Sequence, residues 1–247
     1  MESELIIEKM KELRFFGMHR AFESTFQTGK HQSYTQDEMI NYLLDAELDD
    51  RKSRKVERSI QLAKFRYKAC VEDIIYDDQR RLEKNQVLRF AGCDYIDRNE
   101  NIIITGATGV GKSYVASALG HQACIKGYKV MYMNMGKLLA KLKMLKADGS
   151  YLREITRMEK ADLVIFDDFG LQTLDNQSRL SFLEIIEDRH EQKTTIITSQ
   201  IPVEKWYDVI VDKTVADAIM DRLVHSSHRI EIKGESFRKR KIRKEEN

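Results

Sequence analysis

The chain has one proline, one tryptophan and three cysteines among its 247 residues, and it has no apolar run of transmembrane length. It also lacks a charge excess: 42 Lys and Arg against 40 Asp and Glu leave a formal +2, so no global field dictates the partner. Cys70, Cys93 and Cys124 are odd in number, far apart and in no C-x-x-C pair. That excludes a disulfide framework and a zinc site, and the three read as small buried apolar residues in a reducing compartment. His225 and His228 share i, i+3 spacing but have no Cys or carboxylate arrangement around them, so they read as a solvated turn rather than a metal site. The acidic start Met1-Glu2-Ser3-Glu4 is unlike a targeting peptide, and a soluble cytoplasmic protein without a membrane partner is expected. The proline, Pro202, sits just beyond a strand, where it breaks nothing.

What is present divides along the chain. Residues 1–70 read as a small all-helical domain, with apolar stripes at Ile6, Met10 and Leu13 and at Met18, Phe22 and Phe26. A capping box at Thr35-Gln36-Asp37-Glu38 opens the helix that carries Met39, Tyr42, Leu43 and Ala46. From Arg51 to Lys68 there are eight basic residues and one acid, Glu57, which suits either a solvated face or contact with a phosphate backbone or acidic partner. Residues 71–98 read as a connecting segment with turns at Asp77-Asp78 and Gly92. Beyond it, strands expected at 102–105, 129–133, 163–167, 194–199 and 229–232 alternate with helices. That alternation is the signature of a parallel sheet covered by crossovers, hence an α/β domain over 99–234, followed by a basic tail at 235–247.

The chemistry is concentrated in that second region. Gly106-Ala107-Thr108-Gly109-Val110-Gly111-Lys112-Ser113 follows the apolar run 101–105 and opens a helix at Tyr114. Successive backbone N–H groups and the positive end of the helix converge there on a nucleotide β-phosphate. Lys112 then reaches the β- and γ-oxygens, and the Ser113 hydroxyl takes Mg²⁺. A second apolar strand ends in Asp167-Asp168. Asp167 is expected to hold the metal through water, and Asp168 to act as base or water-positioning group, unless the two are turn residues closing a core strand.

Thr198 and Ser199 end a further strand, where they suit either a γ-phosphate sensor or a simple cap. Arg222 closes a helix and suits either an arginine finger for a neighbouring subunit or a surface pair with Asp221. Lys137, Lys141, Lys143 and Lys146, followed by Arg153 and Arg157, form a broad basic stripe, either solvated or tracking DNA. Arg229 to Lys244 holds eight basic residues and two acids, a composition without base specificity.

Taken together, these motifs resemble the IstB-type helper ATPases of insertion sequences, relatives of the DnaC helicase loaders within the AAA+ class. The resemblance runs from Leu13-Arg14-Phe15-Phe16-Gly17-Met18 through Leu43-Leu44-Asp45-Ala46-Glu47, Gly106 to Ser113 and Phe166-Asp167-Asp168-Phe169-Gly170. It continues through Thr198-Ser199-Gln200 and Asp221-Arg222-Leu223 to Gly234-Glu235-Ser236-Phe237-Arg238. It implies an AAA+ P-loop sheet flanked by helices, ATP and Mg²⁺ bound between subunits of a homo-oligomer, and double-stranded DNA held by the assembly. It also implies delivery of a transposase docked on the amino-terminal domain, with a helicase as the alternative cargo. Under that resemblance the strand of Thr198 lies between those of Gly106 and Asp167, Arg222 becomes the finger and Arg238 a second sensor. Two departures stand out. The wider class ends the second strand in Asp-Glu, so the shorter Asp168 is expected to slow hydrolysis, and the 25 residues after Arg222 are too few for the usual helical lid.

Overall fold

The computed structural model describes residues 2–225 and 227–237, and the chain divides into two compact units, Met1–Arg58 and Ser59–Asn247. The first unit therefore ends earlier than the boundary near residue 70 that the helical pattern suggests. It contains α1 (Glu2–Glu12), α2 (Phe16–Gln27) and most of α3 (Gln36–Ala63), whose residues 59–63 belong to the second unit. The capping box forms at the start of α3: the Thr35 N–H donates to Glu38 Oε2 at 2.8 Å, and the Glu38 N–H donates to Thr35 Oγ1 at 3.3 Å. Ala21, Phe22 and Leu43 are buried, with Ile7, Met10, Met18 and Met39 packed around them.

A carboxylate joins these helices. Buried Glu47 accepts the N–H groups of Gly17 at 2.8 Å and Met18 at 3.3 Å, two donors in the first turn of α2 that have no intrahelical acceptor. The approach demands a glycine, because a Cβ at Gly17 would lie 2.3 Å from the Ala46 carbonyl oxygen. Burial pushes the Glu47 pKa up, but the bonds from Arg51, Met18 and Gly17 outweigh it and the net shift is downward. A lowered folded pKa places this stabilisation above the ordinary glutamate range near pH 4 and removes it as pH falls through the folded value. Glu47→Gln is accordingly expected to abolish that pH dependence and to speed amide exchange at Gly17 and Met18, read by hydrogen exchange between about pH 3 and 6.

Two members of the basic run are paired within the helical unit. Arg54 pairs with Asp50 at 2.6 Å, Arg51 with Glu47 at 2.7 Å, and their guanidiniums lie over the rings of Phe16 and Phe15. The chain then turns at Lys64, which has a left-handed φ of 58°.

In the second unit, β1 (Asn101–Gly106), β2 (Val130–Asn134), β3 (Leu163–Phe169), β4 (Thr194–Ser199) and β5 (Ser227–Ile232) form one five-stranded parallel sheet in the order β2-β3-β4-β1-β5. The strand of Thr198 does lie between those of Gly106 and Asp167. Side chains alternate between faces as strand geometry requires. Ile102, Ile104, Ile165, Ile196 and Ile230 pack beneath α4 (Lys84–Ala91), α5 (Asp94–Asp97) and α6 (Lys112–Ile125). Ile103, Val164, Phe166 and Ile197 face α7 (Met135–Asp148), α8 (Tyr151–Glu159), α9 (Asn176–Arg189), α10 (Trp206–Ile210) and α11 (Lys213–Val224).

Buried Arg189 ends α9 and donates to the carbonyls of Met158 at 2.6 Å and Ala161 at 2.9 Å, tying α8 to the sheet; burial lowers its pKa to about 10. Cys93 and Cys124 are free and buried, and burial pushes their thiols up to about 11; Cys70, expected to be buried, is only partly so. His228 pairs with Glu100 at 2.8 Å and His225 with Asp221 at 3.4 Å, so the two do not converge. Among the described residues, no helix is long and apolar enough to cross a membrane.

Candidate active site

Parallel strands present their carboxyl ends at one edge of the sheet, and ligands of open α/β sheets bind in the crevice outside that edge. Here β1 runs into the glycine loop, β3 ends in Asp167 and Asp168, and β4 ends in Thr198 and Ser199. A cavity of about 470 Å³ opens among them, lined by Thr108, Gly109, Gly111, Lys112, Ser113 and Tyr114 of the loop and helix, by Asp168, and by Gln200 beyond β4.

The loop owes its shape to glycine. Gly106, Gly109 and Gly111 have φ of 147°, 83° and 99°, and a Cβ on Gly106 would lie 2.1 Å from the Ile232 carbonyl oxygen. Lys112, buried in the first turn of α6, donates from Nζ to the Ala107 carbonyl at 2.9 Å. Burial lowers its pKa, with the charges of Asp168 and Asp167 opposing. Val110 points into the core, and its carbonyl accepts from Arg80 Nη2 at 2.8 Å. Arg80 in turn lies over the Phe237 ring, and the Phe237 N–H donates to the Gly109 carbonyl at 3.0 Å. Segments before and after the sheet thus brace the loop from outside.

The two carboxylates sit on a bulge. Pairing between β3 and β4 slips between Phe166 and Phe169, and Asp168 adopts a φ of 62°. The irregularity gives the adjacent aspartates different surroundings. Asp167 is fully buried, whereas the Asp168 side chain lines the cavity. Thr198 Oγ1 donates to Asp167 Oδ1 at 2.5 Å and accepts the Asp168 N–H at 3.0 Å. Tyr132 donates its hydroxyl to Asp167 Oδ2, and burial together with the Asp167 charge raises its pKa. Asn134 Nδ2 donates to Asp168 Oδ2 at 3.2 Å. Arg66 Nη1 reaches both carboxylates, 3.1 Å from Asp167 Oδ2 and 2.8 Å from Asp168 Oδ2. Burial opposes its charge, but the bonds to Asp167 and Asp168 more than compensate and hold its pKa above the usual arginine value.

Several expected site residues are placed differently from their expected roles. The Ser199 hydroxyl is buried against the Phe169 carbonyl at 2.9 Å, outside the cavity, because alternation turns it to the other side of β4 from Thr198. The Thr198 hydroxyl is spent on the aspartates. Gln200 supplies the polar side chain from this strand end, and accepts from the Thr108 hydroxyl at 2.6 Å. Arg222 lies in the last turn of α11, where it pairs with Glu187 at 3.0 Å rather than with Asp221. Its carbonyl accepts from Asn101 at the start of β1, the sheet edge opposite the glycine loop, so Arg222 lies outside its own cavity. Arg238 lies outside the described residues.

The six basic residues of the stripe are exposed on α7 and α8. Lys141 and Arg157 flank Glu154 at 2.8 and 3.8 Å, Lys143 pairs with Asp175, and Lys146 lies 4.5 Å from the Tyr151 ring centre. Sequence pattern does not single out Arg66, Arg80, Tyr132 or Asn134, and Gln200 enters it only as the end of the Thr198-Ser199-Gln200 motif. The available signal was the period-2 placement of Tyr132 and Asn134 at the carboxyl end of β2.

The glycine loop, the β3 aspartates and the strand order together define a P-loop AAA+ nucleotide-binding fold. Solved structures agree: the chain matches DnaI with a TM-score of 0.59 at 20% identity, covering 71% of this chain and 93% of that one. It matches the DnaC helicase loader at 0.57 and 18%, covering 69% and 100%. The chain belongs to the IstB-like ATP binding protein family, whose profile matches residues 8–245. It is 40% identical over 238 residues to a protein of Sinorhizobium fredii described as an insertion-sequence ATP-binding protein, covering 96% of this chain and 97% of the relative. It is 28% identical over 243 residues to the one described for insertion sequence IS21 of Pseudomonas aeruginosa, covering 98% and 91%.

Proposed function

We propose that this chain is an ATP-hydrolysing AAA+ protein of the bacterial cytoplasm that assembles on double-stranded DNA when ATP binds and there recruits and activates a transposase. The observation that carries the reading is the convergence of Lys112, Ser113, Asp167 and Asp168 at one sheet edge within a family of insertion-sequence ATP-binding proteins. AMPPCP-bound DnaA of Aquifex aeolicus, with a TM-score of 0.59, holds a triphosphate analogue on the same fold. The donor set suits Mg²⁺: a serine hydroxyl and a buried carboxylate are hard oxygen ligands. No group of three His, Cys, Asp or Glu that could cage a metal occurs among the described residues.

In this reading the loop N–H groups and Lys112 bind the phosphates, and Ser113 and Asp167 hold Mg²⁺, which supplies charge neutralisation. Tyr132 and Thr198 fix Asp167, while Asp168, aimed into the cavity by its bulge and steadied by Asn134, orients the attacking water. Arg222 serves the nucleotide of the next subunit. Lys137, Lys141, Lys143, Lys146, Arg153 and Arg157 offer contacts to phosphate backbones. The helical unit, with Leu5, Leu13, Ile40 and Leu48 exposed, offers the transposase surface.

The test is electron microscopy and sedimentation of the full chain on duplex DNA with a non-hydrolysable ATP analogue. A nucleotide-dependent oligomer on DNA is expected; a monomer indifferent to both would overturn the reading. The second reading, a helicase loader, is favoured by the DnaC fold. It predicts capture of a purified hexameric helicase rather than a purified transposase.

A further inference from the structure

We infer that Arg66 is the residue by which this site tells a triphosphate from a diphosphate, through an exchange of partners between the aspartates and the γ-phosphate. The inference rests on the ATP-binding reading above.

The arrangement is built rather than incidental. Phe65 packs against α6 at Gly120, where a Cβ would lie 2.6 Å from its ring, and stands edge-on to Tyr132 with ring centres 6.1 Å apart. That anchors the turn after Lys64 and sets Arg66 between the cavity and the carboxylates. Asp167 Oδ1 is bonded to Thr198, and Oδ2 to Tyr132 and Arg66; Asp168 Oδ2 is bonded to Asn134 and Arg66. A carboxylate has about four lone-pair sites, and three of those on Asp167 are taken. Thr198, Tyr132 and Asn134 are neutral donors. The bonded cation at the pair is Arg66, since Lys112 Nζ donates to the Ala107 carbonyl.

Arg66 therefore competes for the Asp167 oxygens with any cation that would be held there, and leaving Asp167 loosens its hold on Asp168 as well. The Arg66 side chain is 39% exposed, so water takes up part of the lost pairing and the cost of leaving both carboxylates is moderate. A nucleoside triphosphate offsets that cost, because its tetrahedral γ-phosphate offers the planar guanidinium a bidentate anion partner in the same cavity. A diphosphate offers none there, so Arg66 keeps the aspartates and the metal is held by the nucleotide alone. Arg66 thus couples metal engagement at Asp167 to the presence of the third phosphate.

The experiment measures binding of fluorescent ADP and of a fluorescent non-hydrolysable ATP analogue to the full-length protein across a Mg²⁺ titration. In Arg66→Gln the preference for triphosphate over diphosphate should fall by about tenfold, within the usual range of coupling between sites, and half-maximal ADP binding should need less Mg²⁺. Arg66→Lys keeps the charge but lacks the fork that bridges two carboxylates, and should fall between the two. A folded Arg66→Gln or Arg66→Lys protein with wild-type preference and wild-type Mg²⁺ dependence would overturn the inference, as would equal loss of affinity for both nucleotides. Failure of the wild-type chain to bind either nucleotide would instead sink the ATP reading itself.

Discussion

Lys112→Ala protein is expected to fold normally yet bind ATP at least about 10²-fold more weakly, and to lose nucleotide-driven assembly on duplex DNA. The side chain sits in the first turn of α6, and its ammonium is tethered to the Ala107 carbonyl, poised along the loop. A bound nucleotide would replace that neutral acceptor by β- and γ-phosphate oxygens. Hydrogen bonds to charged groups contribute roughly 1.5–3 kcal/mol each, so losing two costs about 3–6 kcal/mol of binding. The fold should survive because the change removes a buried charge, exposed Ala107 can offer its freed carbonyl to water, and alanine suits a helix. Titration with a fluorescent ATP analogue measures the first effect and sedimentation on DNA the second. Wild-type affinity would remove Lys112 from the phosphate site.

The parts legible in the sequence are those encoded by local spacing. Strands β1 to β4 announce themselves through short apolar runs, β5 through the alternation of Ile230 and Ile232 with polar residues, and the loop from Gly106 to Ser113 through glycine spacing, because each requirement is met within a few residues. The capping box at Thr35 and Glu38 is legible for the same reason. Arg66 is different. It lies 101 residues from Asp167, inside a basic run whose composition points toward solvent or a partner, and only the turn at Lys64 and the burial of Phe65 deliver it to the aspartates. Arg80 reaches the loop from a stretch that reads as a mere connection. The contrast between Asp167 and Asp168 depends on a register slip between two strands, and Thr198 and Ser199 separate by strand alternation once β4 is paired on both sides. These are consequences of tertiary pairing, and no local pattern carries them. The shorter second carboxylate also reads differently in place. Bonded to Asn134 and Arg66, Asp168 is held in place by neighbouring side chains rather than left free by its shorter length.

Under the proposed function Arg222 serves the nucleotide of the next subunit, and Arg222→Ala should expose that. In its own chain the Arg222 guanidinium donates to the Ala218 carbonyl at 2.9 Å and pairs with Glu187, on the sheet edge away from the glycine loop. Nucleotide affinity of an isolated subunit should therefore be unchanged, because the loop, Lys112 and both aspartates are untouched. Hydrolysis by the assembled protein should fall by roughly 10³ to 10⁵-fold, the range found where an arginine finger supplies charge to a transferring phosphoryl group. Stability should change little: the side chain is partly exposed, and a surface pair with Glu187 contributes at most about 1 kcal/mol. Mixing the variant with Lys112→Ala subunits separates action between chains from action within one. A finger acting across the interface lets wild-type Arg222 on the Lys112→Ala subunit complete the intact nucleotide site of its Arg222→Ala neighbour, restoring part of the turnover that either variant lacks alone. A finger confined to its own chain restores none, and full turnover by Arg222→Ala alone would remove the assigned role.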